Sequence, residues 1–160
     1  MARKVLLDVN IYDTFKTNSE LRGLFDRAKD LKLIDPVITH VTLDQINRMP
    51  ESKVSLQSSI LSVINAFSTT STSGHVNGIS RDGWSNPAPQ EALEKIIGEQ
   101  TLTVGNLEDA LQGATALNQD FLFVTNDHRL WNRCNALKIG SAMKESEFQL
   151  FLQELINFHH

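Results

Sequence analysis

Four aspartates are the residues of this chain whose type and placement could do chemistry. Lys4-Val5-Leu6-Leu7-Asp8-Val9-Asn10 is an apolar run that stops at an acid, and Phe121-Leu122-Phe123-Val124-Thr125-Asn126-Asp127 repeats the pattern far along the chain. A carboxylate at the tip of a buried strand needs a metal, a cationic partner or several backbone donors. An open parallel α/β sheet has a use for it, because ligands bind in the crevice at the carboxyl ends of the strands. Asp44 and Asp109 fall on expected helices and complete a set of four carboxylates. Such a set suits Mg²⁺ or Mn²⁺, hard cations that prefer oxygen ligands.

Each acid also has a local explanation. Asp8 can cap a helix that begins near Ile11, and Asp127 can cap one containing Leu130 and Trp131. With Asn106 as cap, Asp109 stands third in its helix, where the macrodipole favours an acid by a few tenths to about 1 kcal/mol. Asp44 lies in a first turn as well. Asn10 reads either as a helix cap or as a group that orients Asp8. Asp13, Asp26, Asp30 and Asp35 read as turn or solvated-helix acids. Glu108 adjoins Asp109 but lies about 100° around the helix, so it is expected to point elsewhere. Arg48, Arg129, Arg133 and His128 are candidates for holding flanking phosphates, with an ordinary solvated charge as the competing reading. No aromatic stacking platform is evident in the sequence.

The elements that must position these acids alternate along the chain. Residues 4–9 read as a strand, followed by a helical stretch through Ile11, Tyr12 and Phe15. A second helix is expected from Glu20 to Leu31 with Ser19 as cap, and a strand from Pro36 to Thr39. The next helix starts near Thr42, capped by Thr42 or Thr39, and Thr42 and Gln45 have capping-box spacing. After Pro50, Ser52 to Phe67 reads as a helix with Val54, Ile60, Leu61 and Ile64 inward. Residues 68–89 are crowded with Ser, Thr, Gly, Asn and Pro and read as a long flexible loop. Helix resumes from Gln90 to Ile97 and again after Asn106. A strand at Phe121–Thr125, a short helix from His128 to Cys134, a strand at Ala136–Ile139 and a helix from Glu147 to Phe158 follow. Strands alternating with helices imply a three-layer α/β/α sandwich around a mostly parallel sheet, in one domain over residues 1–158. His159 and His160 fit the remnant of a purification tag.

Composition narrows the class. At 160 residues the chain is long enough to bury a core without staples. Its 15 basic and 19 acidic side chains argue against gripping nucleic acid through a broad basic surface. They leave room for an enzyme that holds it locally. Cys134 stands alone, which makes a reducing cytoplasm the default and the thiol an inert one. No signal peptide is visible, and no apolar stretch approaches the roughly 20 residues that cross a bilayer.

Taken together, Asp8-Val9-Asn10, Thr42-Leu43-Asp44, the segment Leu107-Glu108-Asp109-Ala110-Leu111-Gln112-Gly113-Ala114-Thr115-Ala116 and Val124-Thr125-Asn126-Asp127 resemble the PIN-domain family. Its members are small metal-dependent nucleases, including VapC-type toxins of bacterial toxin–antitoxin pairs. The resemblance covers nearly the whole chain and is strongest from Asp109 to Asp127. It implies that Asp8, Asp109 and Asp127 ligate Mg²⁺ or Mn²⁺, with Thr125, Asn10 and Asn126 orienting them or the substrate. Where the family usually has glutamate, this chain has the shorter Asp44, which would act directly or through a water. The implied activity is endonucleolytic hydrolysis of RNA, with an antitoxin protein and a second copy of the chain as the implied partners. Two other readings stand beside it. A haloacid-dehalogenase-type phosphatase would use Asp8 as nucleophile, although such enzymes generally carry a second acid where this chain has Asn10. The other is a non-catalytic module of the same fold whose acid cup holds no metal.

Overall fold

Every described strand of this protein runs in the same direction. The computed structural model describes residues 2–70, 72, 93–97 and 104–159. Five strands, β1 (Arg3–Leu7), β2 (Ile34–Ile38), β3 (Ser68–Thr69), β4 (Leu122–Val124) and β5 (Ala142–Met143), form one parallel sheet in the order β3-β2-β1-β4-β5. The helices are α1 (Val9–Thr17), α2 (Ser19–Asp30), α3 (His40–Asn47), α4 (Val54–Ile64), α5 (93–97), α6 (Val104–Asn118), α7 (His128–Leu137) and α8 (Glu145–His159). A 3₁₀ turn at Glu51–Lys53 precedes α4.

Both faces of the sheet are covered, which is why its strands read as continuous apolar runs. Val5, Leu7, Ile34, Ile38, Leu122 and Val124 face one layer, built from α1, α2, α4 and α8 around Phe15, Phe25, Phe67 and Phe148. Leu6, Val37 and Phe123 face the other, with Leu93, Ile96, Leu111, Ala114, Leu130 and Cys134 from α5, α6 and α7. The protein is thus a three-layer α/β/α sandwich. None of its described helices is long and apolar enough to cross a membrane.

Several boundaries differ from the sequence expectation, each for a local reason. Asn18, not Ser19, caps α2, its Oδ1 accepting from Leu21 N at 3.0 Å. Strand β2 begins at Ile34 and contains Pro36. Since β3 pairs only with Val37 and Ile38, Pro36 lies where β2 is the sheet edge, a position that tolerates a missing N–H. Thr39 caps α3, which leaves Thr42 inside the helix and free of capping. On α4, Ile60 and Ile64 are buried, whereas Val54 and Leu61 face solvent. Of the loop expected at 68–89, Ser68 and Thr69 instead form β3, and Thr70 N extends the ladder to Ile38 O at 2.9 Å. The remainder of that loop, Thr72 apart, lies outside the described residues, as do residues 90–92 of the helix expected there.

Helix α6 starts at Val104, so Asn106 is within it rather than its cap. The largest displacement is the last strand. Helix α7 continues to Leu137, Ile139 is 95% exposed, and Gly140 turns the chain at φ +79 before β5 forms at Ala142–Met143. Only a residue without a Cβ takes that φ at no cost. Helix α8 begins at Glu145 and runs through His159.

Gly113 allows α6 to lie against α7, because a Cβ there would meet Cys134 Sγ at 3.0 Å and Leu130 Cδ1 at 3.4 Å. Gly113→Val is expected to lower stability by about 1–3 kcal/mol through overpacking. The check is urea unfolding, read as a lower midpoint at unchanged slope. A variant within about 0.5 kcal/mol of wild type would mean that the two helices separate freely.

Candidate active site at the β1–β4 edge

From β1 the chain moves outward to β2 and β3, then crosses back to the other side of β1 for β4 and β5. The gap beyond the carboxyl ends of β1 and β4 is therefore the topological switch point, where open parallel sheets bind their ligands. Asp8 follows β1 directly, and its N–H continues the ladder to Val124 O at 2.9 Å. Thr125, Asn126 and Asp127 follow β4.

Asp8 is only 3% exposed. Its Oδ1 accepts from Val9 N at 2.8 Å, capping α1, and its Oδ2 accepts from Thr125 Oγ1 at 2.7 Å and from Asn10 Nδ2 at 3.2 Å. Capping and site-building are one arrangement here. Burial raises the Asp8 carboxyl to about 7, helped by the charges of Asp109 and Asp127 and opposed by the bonds from Thr125 and Val9. Asp127 caps α7, its Oδ1 accepting from Arg129 N and Leu130 N at 3.0 and 3.3 Å. Thr125 Oγ1 also accepts from Asp127 N at 3.1 Å, so one hydroxyl links the two acids. Asn126 donates from its backbone N–H to Asn10 Oδ1 at 3.2 Å and from its amide to Thr14 Oγ1 at 3.1 Å.

Asp109 reaches this edge from α6. Its carboxyl is raised by burial and by the charge of Asp127, against a hydrogen bond from Gln45 Nε2 at 3.0 Å. Gln45, the residue after Asp44, is thus an α3 side chain that touches the acid cluster. The sequence reading missed Gln45, and its position immediately after Asp44 is the one signal that could have suggested it. The phase of α3 and α6 is fixed by a fully buried latch: Thr39 Oγ1 donates to Gln112 Oε1 at 2.9 Å, and Gln112 Nε2 donates to Thr42 Oγ1 at 2.6 Å.

Glu108 is 2% exposed and ion-paired with Arg48, beside the group of Asp8, Asp109 and Asp127 rather than in it. Burial raises its carboxyl first, Arg48 lowers it, and the charges of Asp109 and Asp44 raise it further. The acids therefore form two neighbouring groups, Asp8–Asp109–Asp127 and Glu108–Asp44, joined through Asp109. Of the expected phosphate-holding cations, Arg48 is engaged by Glu108. Arg133 is turned to the backbone, donating to Ile96 O and Ile97 O at 2.7 and 2.6 Å. Arg129 is exposed in the first turn of α7, and His128 contacts Lys144 and Trp131. Cys134 is fully buried, and burial pushes its thiol up to about 12, as an inert packed cysteine requires.

The donor chemistry of this cluster fits a hard divalent cation: carboxylate oxygens with an amide beside them, several raised by desolvation and by one another. The fit is one of chemistry and not of finished geometry. Among the described residues, no three His, Cys, Asp or Glu side chains are gathered closely enough to hold one ion as they stand. No family model, curated protein or solved structure matches the chain.

The state of Asp8 has a consequence for stability. Because its carboxyl is raised from 3.8 to about 7 on folding, the folded chain binds more protons than the unfolded chain between those values. Stability contributed by the protonated form is complete below about pH 4 and is lost as pH rises through about 7, by about 4 kcal/mol at most. With EDTA present, thermal melts of the wild type should therefore fall from pH 5 to pH 8, and Asp8→Asn should flatten that fall. A wild-type profile as flat as that of the variant would contradict the assigned burial of charge.

Proposed function

We propose that this protein is a divalent-metal-dependent endoribonuclease of PIN-domain type, hydrolysing RNA phosphodiester bonds at the β1–β4 edge. The observation that supports the reading is that Asp8 and Asp127 follow β1 and β4 at the switch point of a parallel sheet, with Asp109 of α6 near enough for the three charges to influence one another. Burial that raises a carboxyl, with the repulsion of neighbouring acids added, is a cost the apoprotein bears, and strongly shifted groups are candidates for functional sites.

Asp8, Asp109 and Asp127 would hold Mg²⁺ or Mn²⁺. Asp44, on the α3 side, would assist directly or through a water, while Glu108 is neutralised by Arg48. When bound, the cation lowers the pKa of a water and accepts a phosphate oxygen as a Lewis acid. The remaining groups position. Thr125 holds Asp8 and Asp127 in register through one hydroxyl, Asn10 donates to the same oxygen of Asp8, and Gln45 sets the carboxylate of Asp109. A second reading, a non-catalytic module, is favoured by the separation of the acids noted above and by the capping duties of Asp8 and Asp127.

Cleavage of a labelled single-stranded RNA distinguishes them. Wild type should cut in Mn²⁺ or Mg²⁺ and stop in EDTA. Asp8→Asn and Asp127→Asn should each lose at least about 100-fold, since the metal supplies several kcal/mol of barrier lowering. Full activity in both variants would assign the cleavage to a contaminant. Mn²⁺ at about 100 times its dissociation constant should stabilise wild type by about 2.7 kcal/mol and Asp8→Asn much less. No effect of any divalent cation on wild type would favour the binding module. If the enzyme is the toxin of a toxin–antitoxin pair, wild type expressed alone arrests growth while Asp8→Asn does not. A harmless but active wild type points to RNA processing.

A further inference from the structure

Beside the acid cluster, on the same edge of the sheet, lies a group of side chains that the hydrolytic reading leaves unused. His128 opens α7, and Trp131 lies one turn further on. Their rings stack with centroids 5.6 Å apart and planes 24° from parallel. Lys144, which follows β5, brings its ammonium 4.5 Å from the centre of the Trp131 ring and 2.7 Å from His128 Nδ1. An ammonium can only donate, so Nδ1 accepts and the imidazole carries its proton on Nε2. Trp131 is half-buried and packs on the core between α6 and α7, whereas His128 is exposed. The indole therefore supports the imidazole from below and holds a flat ring at the surface.

Position gives this stack its meaning. Asp127 immediately precedes His128, and Lys144 leaves the end of β5, the strand paired with β4. Adjacent strands lie about 4.8 Å apart, so ring, ammonium and acid cluster share one short stretch of sheet edge. The chain carries a net charge of −4 and cannot hold RNA by a general electrostatic grip. Local stacking is the physical alternative. Every base has a π-face, and stacking on a side-chain ring contributes about 1–3 kcal/mol per base.

We propose that His128, supported by Trp131 and flanked by Lys144, is a stacking platform for an unpaired nucleobase of single-stranded RNA. The phosphate next to that base would lie at the acid cluster, and the ammonium of Lys144 would pair with the following one. The proposal rests on the nuclease reading for its choice of ligand. It also revises the role foreseen for His128, from a phosphate-holding charge to a ring, and supplies the aromatic platform that the sequence did not reveal.

The test is equilibrium binding of a fluorescein-labelled single-stranded RNA by anisotropy, in the Asp8→Asn background with EDTA, so that cleavage cannot interfere. Adding His128→Ala should weaken binding about 5- to 150-fold, the factor that stacking of one base commands. His128→Phe, which keeps a flat ring, should restore affinity to within about threefold. Affinity for the same RNA in duplex form should not change, because a duplex hides the faces of its bases. His128 is exposed, so its truncation leaves the core intact, and a thermal melt of each variant checks this.

The platform is overturned if the parent shows no binding, or if His128→Ala binds single strands as the parent does. Equal losses for single strand and duplex, or failure of phenylalanine to rescue, overturn it too. The two readings fail separately. Binding that depends on His128 in a protein that cleaves no RNA removes hydrolysis and keeps the platform. Metal-dependent cleavage with binding indifferent to His128 does the reverse.

Discussion

The arrangement at the sheet edge depends on one buried carboxylate. Asp8 is 3% exposed, has lost almost all its water, and accepts hydrogen bonds from Val9, Asn10 and Thr125. Those three donors belong to α1 and to the segment after β4, so satisfying Asp8 fixes the relation of both to β1. The bonds offset only part of the desolvation, and the charges of Asp109 and Asp127 add to the cost. Among the described residues, no basic side chain offsets the charge of Asp8. A fold that keeps such a group carries a standing preference for positive charge or protons at that point.

The scaffold keeps that preference in place. The latch of Gln112 with Thr39 and Thr42 is buried and fully satisfied, and such networks fix one arrangement of the elements they join. It sets the rotation of α6 against α3, which in turn brings Gln45 to Asp109. On the other side, Gly113 allows α7 to approach α6, so that Asp127 at the head of α7 and Asp109 in α6 feel each other. Neither contact involves the acids directly, yet both decide where the acids stand.

The sequence revealed the parts of this edge that follow from local chemistry. An apolar run ending in an acid marks a buried strand and its tip, and Asp8 and Asp127 stand at the ends of β1 and β4 as that pattern implies. What it hid depends on packing between elements distant in the chain. The ion pair of Glu108 with Arg48 is one such contact. In the fold, α6 has partners on two sides, with Arg48 drawing Glu108 toward α3 while Asp109 meets Gln45. The last strand was misplaced because Leu137 and Ile139 are apolar, and apolar residues are not always inside: Ile139 is almost wholly exposed. His128 and Lys144 are 16 residues apart and meet only because β5 pairs with β4.

The central claim is that Asp8 sits in one electrostatically joined cluster whose natural counter-ion is a divalent cation. Carbon-13 NMR titration of the aspartate carboxyls, with and without saturating Mg²⁺, tests it most directly. Without metal, the Asp8 carboxyl should titrate near 7, and its signal should also respond to the ionisation of Asp109. With Mg²⁺ bound, the same carboxyl should remain ionised to below its ordinary value of 3.8. A midpoint near the ordinary value in the apoprotein, or one that Mg²⁺ leaves unmoved, would contradict the account.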